Sequence, residues 1–142
     1  MRGKKAKTYI EYAQEVGCDV WGILASIKEA LYEPVGLWLP ESMRTEETSV
    51  YAQGVEVPLD YQGLIPEGFD VIELSACTML LFQGDPYDEV RFDEAIEAAM
   101  EQIDTYDPSI NNCQWAEKEG PRIQLEPQGY RGYIEARPVY LN

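Results

Sequence analysis

Pro34-Val35-Gly36-Leu37-Trp38-Leu39-Pro40 and Pro121-Arg122-Ile123-Gln124-Leu125-Glu126-Pro127 are two stretches of seven residues, each running from proline to proline. Each follows an amphipathic helical pattern, and each precedes another strand-like run. Proline belongs at strand starts, edges and ends, so each pair brackets a short strand. A phrase repeated at this scale implies two copies of one supersecondary unit. Two such units facing each other would form a central cleft, and clefts of that kind take ligands. The copies differ at one telling position. Leu39 of the first matches Glu126 of the second, so a carboxylate replaces an aliphatic side chain at the expected cleft.

Working outward, Thr8-Tyr9-Ile10-Glu11 has capping-box spacing. Tyr9, Tyr12, Ala13 and Val16 continue it as one helical face, and Gly17 can end it. Asp19 can cap a second helix with a stripe of Val20, Ile23, Leu24, Ile27 and Leu31. After the first bracketed strand, Glu41 to Thr48 is a polar loop. Val50 to Val57 reads as a strand with a bulge at Gly54. Pro58 to Gly68 is a loop, and Phe69 to Leu74 and Cys77 to Phe82 are strands. Asp88 or a neighbour caps a third helix with the core face Phe92, Ile96, Ala99 and Ile103. Tyr106 to Gly120 is a loop around Trp115, followed by strands Arg122–Glu126 and Arg131–Arg137. The order strand, helix, strand, strand then occurs twice, with the first strand confined to the few residues before Thr8. The expected class is α+β: a pseudo-twofold tandem of two βαββ units, with two antiparallel sheets and helices packed around a central ligand cleft. A length of 142 residues suits one domain, 1–142, with a basic segment at 1–7.

Composition narrows the partners. A hydrophobic content of 45% with 16 aromatics excludes disorder. The 26 acids and 11 bases give a net charge of −15. Arg2, Lys4, Lys5 and Lys7 hold four of the bases, so residues 8–142 carry 26 acids against seven bases, a net of −19. Such a surface repels phosphate backbones, which argues against direct nucleic-acid binding. It favours cationic ligands or a basic partner in a salt-dependent way. The chain has no histidine, which removes Ser-His-Asp and Cys-His chemistry and the usual zinc sites. Cys18, Cys77 and Cys113 lack metal spacing and read as reduced thiols of a cytoplasmic protein. No apolar run approaches membrane-spanning length. The scattered glycines form no phosphate-cradling motif, and no motif calls for a cofactor. Glu67, Asp70 and Glu73, and the run Asp85 to Glu89, lack EF-hand spacing and read as surface acids.

Strand alternation places Arg122, Gln124 and Glu126 on one face, with Ile123 and Leu125 on the other. The apolar pair is expected to face the helices, leaving Gln124 and Glu126 toward the cleft or solvent. Spacing alone leaves Glu126 open as a cleft acid or as an exposed strand-end carboxylate. Tyrosines and tryptophans gather at expected strand ends and loops, among them Trp38, Tyr51, Trp115 and Tyr133. Rings around one carboxylate suit a flat organic molecule through stacking and cation–π attraction, about 0.5–2 kcal/mol per ring. The candidate binding residues are Glu126, Gln124, Trp38, Tyr51, Trp115, Tyr133 and Leu39. Glu126 or Glu135 is also a candidate general acid, although no spacing demands catalysis.

Further segments carry a resemblance: Glu15-Val16-Gly17-Cys18-Asp19-Val20-Trp21-Gly22, Glu29 through Pro40, Tyr51-Ala52-Gln53-Gly54-Val55-Glu56-Val57-Pro58, Gln124-Leu125-Glu126-Pro127 and Gly132-Tyr133-Ile134-Glu135-Ala136-Arg137-Pro138-Val139. Across almost its whole length the chain resembles the GyrI-like small-molecule-binding domain, in the form fused to AraC-type regulators. The resemblance implies a pseudo-twofold pair of βαββ units. It also implies binding of amphipathic, often cationic, aromatic compounds against a buried glutamate. That glutamate falls in the strand Pro121–Pro127, at Glu126 or, two residues away, where this chain has Gln124. AraC-type regulators carry a helix-turn-helix ahead of this domain, and seven residues before the first helical pattern are too few for one. The expectation is therefore a standalone relative, or a domain whose DNA-binding region lies elsewhere in a longer regulator.

The leading expectation is a module that senses or sequesters a flat organic molecule. A hydrolase of cyclopropane-bearing natural products in the same cleft, and an inhibitor docking on a basic protein, are the alternatives. An edge strand such as Val50–Val57 offers a route to a homodimer.

Overall fold

A computed structural model describes residues 19–44 and 49–142. The expected helix from Thr8 and the strand before it lie outside those residues, as does the end of the Glu41–Thr48 loop. The described chain is mixed α and β, with few helices, and every strand pairing given below is antiparallel. The chain divides into two compact units, Met1–Ser75 and Ala76–Asn142.

In the first unit, helix α1 spans only Val20–Ala25 rather than continuing to Leu31. Asp19 holds the N-cap position but makes no side-chain cap bond. The early stop has a local cause. The Ser26 hydroxyl donates to the Ile23 carbonyl at 2.6 Å, and the Ile27 amide bonds to the Leu24 carbonyl, tightening the last turn. The Leu31 amide donates to the Glu56 carbonyl instead of to a helix. So short a helix is held by packing, not by propensity. Val20 and Leu24 are buried against Tyr51, with Ile27, Trp38, Val55 and Phe69 around them.

Strands β1 (Val35–Trp38) and β2 (Tyr51–Gly54) pair with Trp38 opposite Tyr51 and Gly36 opposite Gln53. The first proline bracket does enclose a strand. Glycine is needed at Gly36: a Cβ there would lie 2.7 Å from the Tyr51 hydroxyl, whose ring crosses the position. Gly54 sits opposite Val35 in regular register, so the expected bulge does not form. The expected strand Phe69–Leu74 is irregular. Among the described residues no strand ladder includes it: Phe69 reaches the core, whereas Val71 is 70% exposed.

In the second unit, β6 (Ile134–Leu141) is the central strand. One edge pairs with β3 (Thr78–Gln83), from Thr78 opposite Val139 to Gln83 opposite Ile134. The other edge is shared by β5 (Arg122–Leu125), opposite Ala136 and Glu135, and β4 (Cys113–Trp115), opposite Val139 to Leu141. The expected Tyr106–Gly120 loop therefore contains a strand, and β6 starts later and runs further than expected. Pro138 survives inside β6 because its carbonyl accepts from the Ala116 amide. Its nitrogen thus also faces the edge where β5 gives way to β4, and no bond to β3 is lost. Asp88 caps a 3-10 turn, Glu89–Arg91, that leads into helix α2 (Phe92–Asp104). Ile103 is buried, Ile96 and Ala99 are half-buried, and Phe92 remains 39% exposed against Tyr87. The acids Asp93, Glu94, Glu97 and Glu101 are solvated, as expected.

Candidate functional site

Tyr133, Glu135 and Arg137 alternate through the start of β6, so their side chains share one face of the sheet. The register adds Gln124 of β5 and Phe82 of β3, both opposite Glu135, and Leu80 opposite Arg137. Arg122 and Trp115 join the same face from β5 and β4 by alternation. The C-terminal end of α2 meets this polar face: Asp104 accepts from Arg137 at 2.6 Å, and Tyr106 packs edge-on against Phe82 at 5.1 Å. The expectation that Ile123 and Leu125 would turn toward the helices is therefore reversed with respect to α2.

Glu135 is fully buried. Its Oε1 accepts from the Tyr133 hydroxyl and from Arg122, each at 2.8 Å. Its Oε2 accepts from Arg137 Nε at 2.6 Å. A lone carboxylate in such a place is prohibitively costly, and three donors, two of them cationic, offset that cost. Arg137 bridges Glu135 to Asp104 and lies 5.8 Å from the centre of the Trp115 ring. Phe82 joins Trp115 to Tyr106, with 6.2 Å between the Phe82 and Trp115 rings. The Tyr106 hydroxyl bonds to the Asn111 side chain.

Electrostatics follow from this packing. Burial, then the charge of Glu135 and the hydrogen bond to it, push the Tyr133 hydroxyl well above its ordinary range. Burial works against the Arg137 cation. The bonds to Asp104 and Glu135 outweigh it and hold the guanidinium above its usual value. Tyr133 is thus a fixed hydrogen-bond donor and Arg137 a fixed cation.

The end of β3 and the segment after it hold the turn that enters β6. Gln83 donates to the Arg131 carbonyl, Gly84 to the Tyr133 carbonyl and Tyr87 to the Gly129 carbonyl, each at 2.8 Å. The Gly129 amide donates to the Glu89 carboxylate at 2.7 Å. Gly132 has φ +76°, and a Cβ there would lie 2.2 Å from the Gly84 carbonyl oxygen.

The residues singled out from sequence fall into two groups. Trp38, Tyr51 and Leu39 belong to the first unit, where Trp38 and Tyr51 meet edge-on at 5.2 Å and Leu39 is 2% exposed. Gln124, Glu126, Trp115 and Tyr133 belong to the second. Tyr133, Gln124 and Trp115 lie on the Glu135 face. Glu126 is exposed beyond the end of β5, 3.4 Å from the Gln128 amide nitrogen. The buried acid of this region is Glu135, and the sequence reading does not assign Arg122 and Arg137 to it. The available signal was the alternation Tyr133-Ile134-Glu135-Ala136-Arg137, an aromatic, an acid and a base on one strand face.

No disulfide joins Cys77 and Cys113. Among the described residues no group of three or more metal-ligating side chains assembles, and no helix is long and apolar enough to cross a membrane. No family model, curated protein or solved structure matches the chain.

Proposed function

We propose that the chain is a small-molecule-binding module. More particularly, we propose a GyrI-like effector-binding domain that holds a flat amphipathic organic molecule at the Tyr133–Glu135–Arg122 cluster. It would act as the sensor of a transcription regulator or as a sequestering protein. One observation carries the reading: a fully buried carboxylate, held by two arginines and a tyrosine at the start of the central strand, beside Trp115, Phe82 and Tyr106. Apolar residues of equal volume stabilise a fold at least as well as a buried ionic cluster, so a cluster of this cost is a candidate for function. The resemblance of the sequence supports the same class. The tandem of βαββ units belongs to this proposal. It is supported by the two proline brackets, each enclosing a strand that is followed by an antiparallel partner.

Fluorescence titration with a panel of flat dyes, on the wild type and on Glu135→Gln, Tyr133→Phe and Glu126→Gln, tests the reading. Saturable binding that weakens in the first two variants and not in Glu126→Gln, with the dye mass unchanged, is the expected result. Binding equal in all four proteins would remove the cluster from the site. A changed dye mass would make the protein an enzyme.

A further inference from the structure

Among the described residues, strand β3 pairs with β6 alone. Its backbone groups alternate in direction. The Gly84 amide donates to the Tyr133 carbonyl, so in antiparallel register Phe82, Leu80 and Thr78 exchange bonds with Glu135, Arg137 and Val139. The N–H and C=O groups of Met79, Leu81 and Gln83 therefore point away from β6. Pro138 obeys the same alternation: it lies opposite Met79, where β6 needs no donor toward β3.

A row of outward backbone groups is normally blunted by charge, proline or a bulge. β3 has none of these. Leu74 to Gly84 are eleven residues without a charge or a proline, the longest uncharged run in the chain. The register with β6 is unbroken from Thr78 to Gln83. Thr78, Leu81 and Gln83 are exposed, Leu81 at 64%.

Charge selects the occupant. At −15 each, two copies of the chain repel one another over most of their surface, and an uncharged strand is where they can meet. A basic segment of another protein would find no carboxylate between Glu73 and Asp85. The strand also matches itself. A two-fold axis at Leu81 sets Leu81 against the partner's Leu81, and Met79 and Gln83 against the partner's Gln83 and Met79. Every outward donor and acceptor of β3 then finds one, and the strand keeps no edge for a third chain.

We propose that β3 is a dimer edge, pairing antiparallel with β3 of a second copy in the register centred on Leu81. The contact falls on β3, whereas Val50–Val57 is the strand singled out from sequence. It stands independently of the ligand reading and adds to it: the register sets the partner's Leu80 beside Phe82, on the Glu135 face.

Light scattering on the full chain, as it elutes from a sizing column over a dilution series, should give twice the mass of one chain at the concentrated end. Leu81→Pro removes one outward N–H and no bond to β6, so it should give the mass of a single chain throughout. Should that variant fail to fold, Leu81→Cys decides: mild oxidation should link it into covalent dimers that reductant reverses, while the oxidised wild type stays unlinked. A wild type of single-chain mass at every concentration would overturn the proposal. So would a dimer that survives Leu81→Pro and gives no Leu81→Cys link, which would place the contact elsewhere. Masses growing beyond two chains would overturn the two-fold closure.

Discussion

The β1–β2 pair and the β5–β6 pair grow from the same proline-bracketed phrase, yet they bury different chemistry. In each, a tyrosine stands two residues before a polar side chain on the second strand: Tyr51 and Gln53, Tyr133 and Glu135. In the first pair the buried group is a neutral amide, 3.5 Å from the Tyr51 hydroxyl, and the opposing residue is Gly36. In the second it is a carboxylate with three donors at 2.6–2.8 Å, opposite Gln124. The registers also differ by one residue. Leu37 of the first bracket faces Ala52, whereas Gln124, its match in the second, faces Glu135. A slip of one residue moves a side chain to the other face of a sheet, so the two polar groups occupy different faces relative to their brackets. The lesson is that a strand frame tolerates either interior. A buried charge, however, recruits its own counter-charges, and those fix what the site can bind.

The largest expected effect breaks this comparison at its charged end. Glu135→Ala leaves Arg122 and Arg137 facing one another without their shared partner, and should cost about 3–5 kcal/mol in urea denaturation. Gln53→Ala removes a neutral buried amide and should cost only about 1–2 kcal/mol. Equal losses at the two positions would mean that the charge of Glu135 is screened by more than its three donors, and the contrast would fail.

Glycine gives the next contrast. At Gly132 an added Cβ meets backbone, the Gly84 carbonyl, at a positive φ. Neither obstacle can move without opening the turn that delivers Tyr133, so Gly132→Ala should cost about 2–3 kcal/mol. At Gly36 the obstacle is the Tyr51 ring, which can tilt, and Gly36→Ala should cost about 1–2 kcal/mol. Gly132→Ala should also weaken dye binding, because it displaces a residue of the cluster. Gly36→Ala should not.

These contrasts also separate what was legible in the sequence from what was not. The proline brackets marked β1 and β5 because proline constrains its own backbone, a local effect. The alternation from Tyr133 to Arg137 likewise displayed the cluster, but alternation cannot say which face is buried. Glu126 stands out in the sequence because it differs from Leu39 in the repeat. Its exposure was settled instead by the end of β5 at Leu125, one residue short of it. The strand at Cys113–Trp115 was hidden for a related reason: three residues carry too little pattern, and only β6 running on to Leu141 gives them an edge. Phe69–Leu74 is the converse, an alternating pattern that joins no strand ladder among the described residues. Arg122 is unreadable as a partner of Glu135 because pairing across strands depends on register.

The smallest effect, and the sharpest in sign, concerns alkaline pH. Tyr133 of the second unit is raised above the ordinary 10.0 by burial and by the nearby Glu135 charge. Tyr32 of the first unit is also raised, by burial and then by its 2.6 Å bond to Glu56, on an exposed edge. A raised tyrosine keeps its proton in the folded state after the unfolded chain has begun to release it. Its contribution to stability is complete below pH 10 and declines as pH rises above that value toward the folded one. The buried Tyr133 should therefore cost about 0.8 kcal/mol of stability by about pH 10.5 relative to neutral pH, and the partly exposed Tyr32 less. Tyr133→Phe should flatten that decline by the share of one group, measured by urea denaturation across the range. Glu135→Gln should flatten it in part, because it removes the repelling charge and leaves the burial. Tyr32→Phe should flatten it less than Tyr133→Phe, since water reaches the Tyr32–Glu56 pair and screens it. The reverse order would mean that the exposed edge of the first unit, and not the buried charge of the second, governs the alkaline limit.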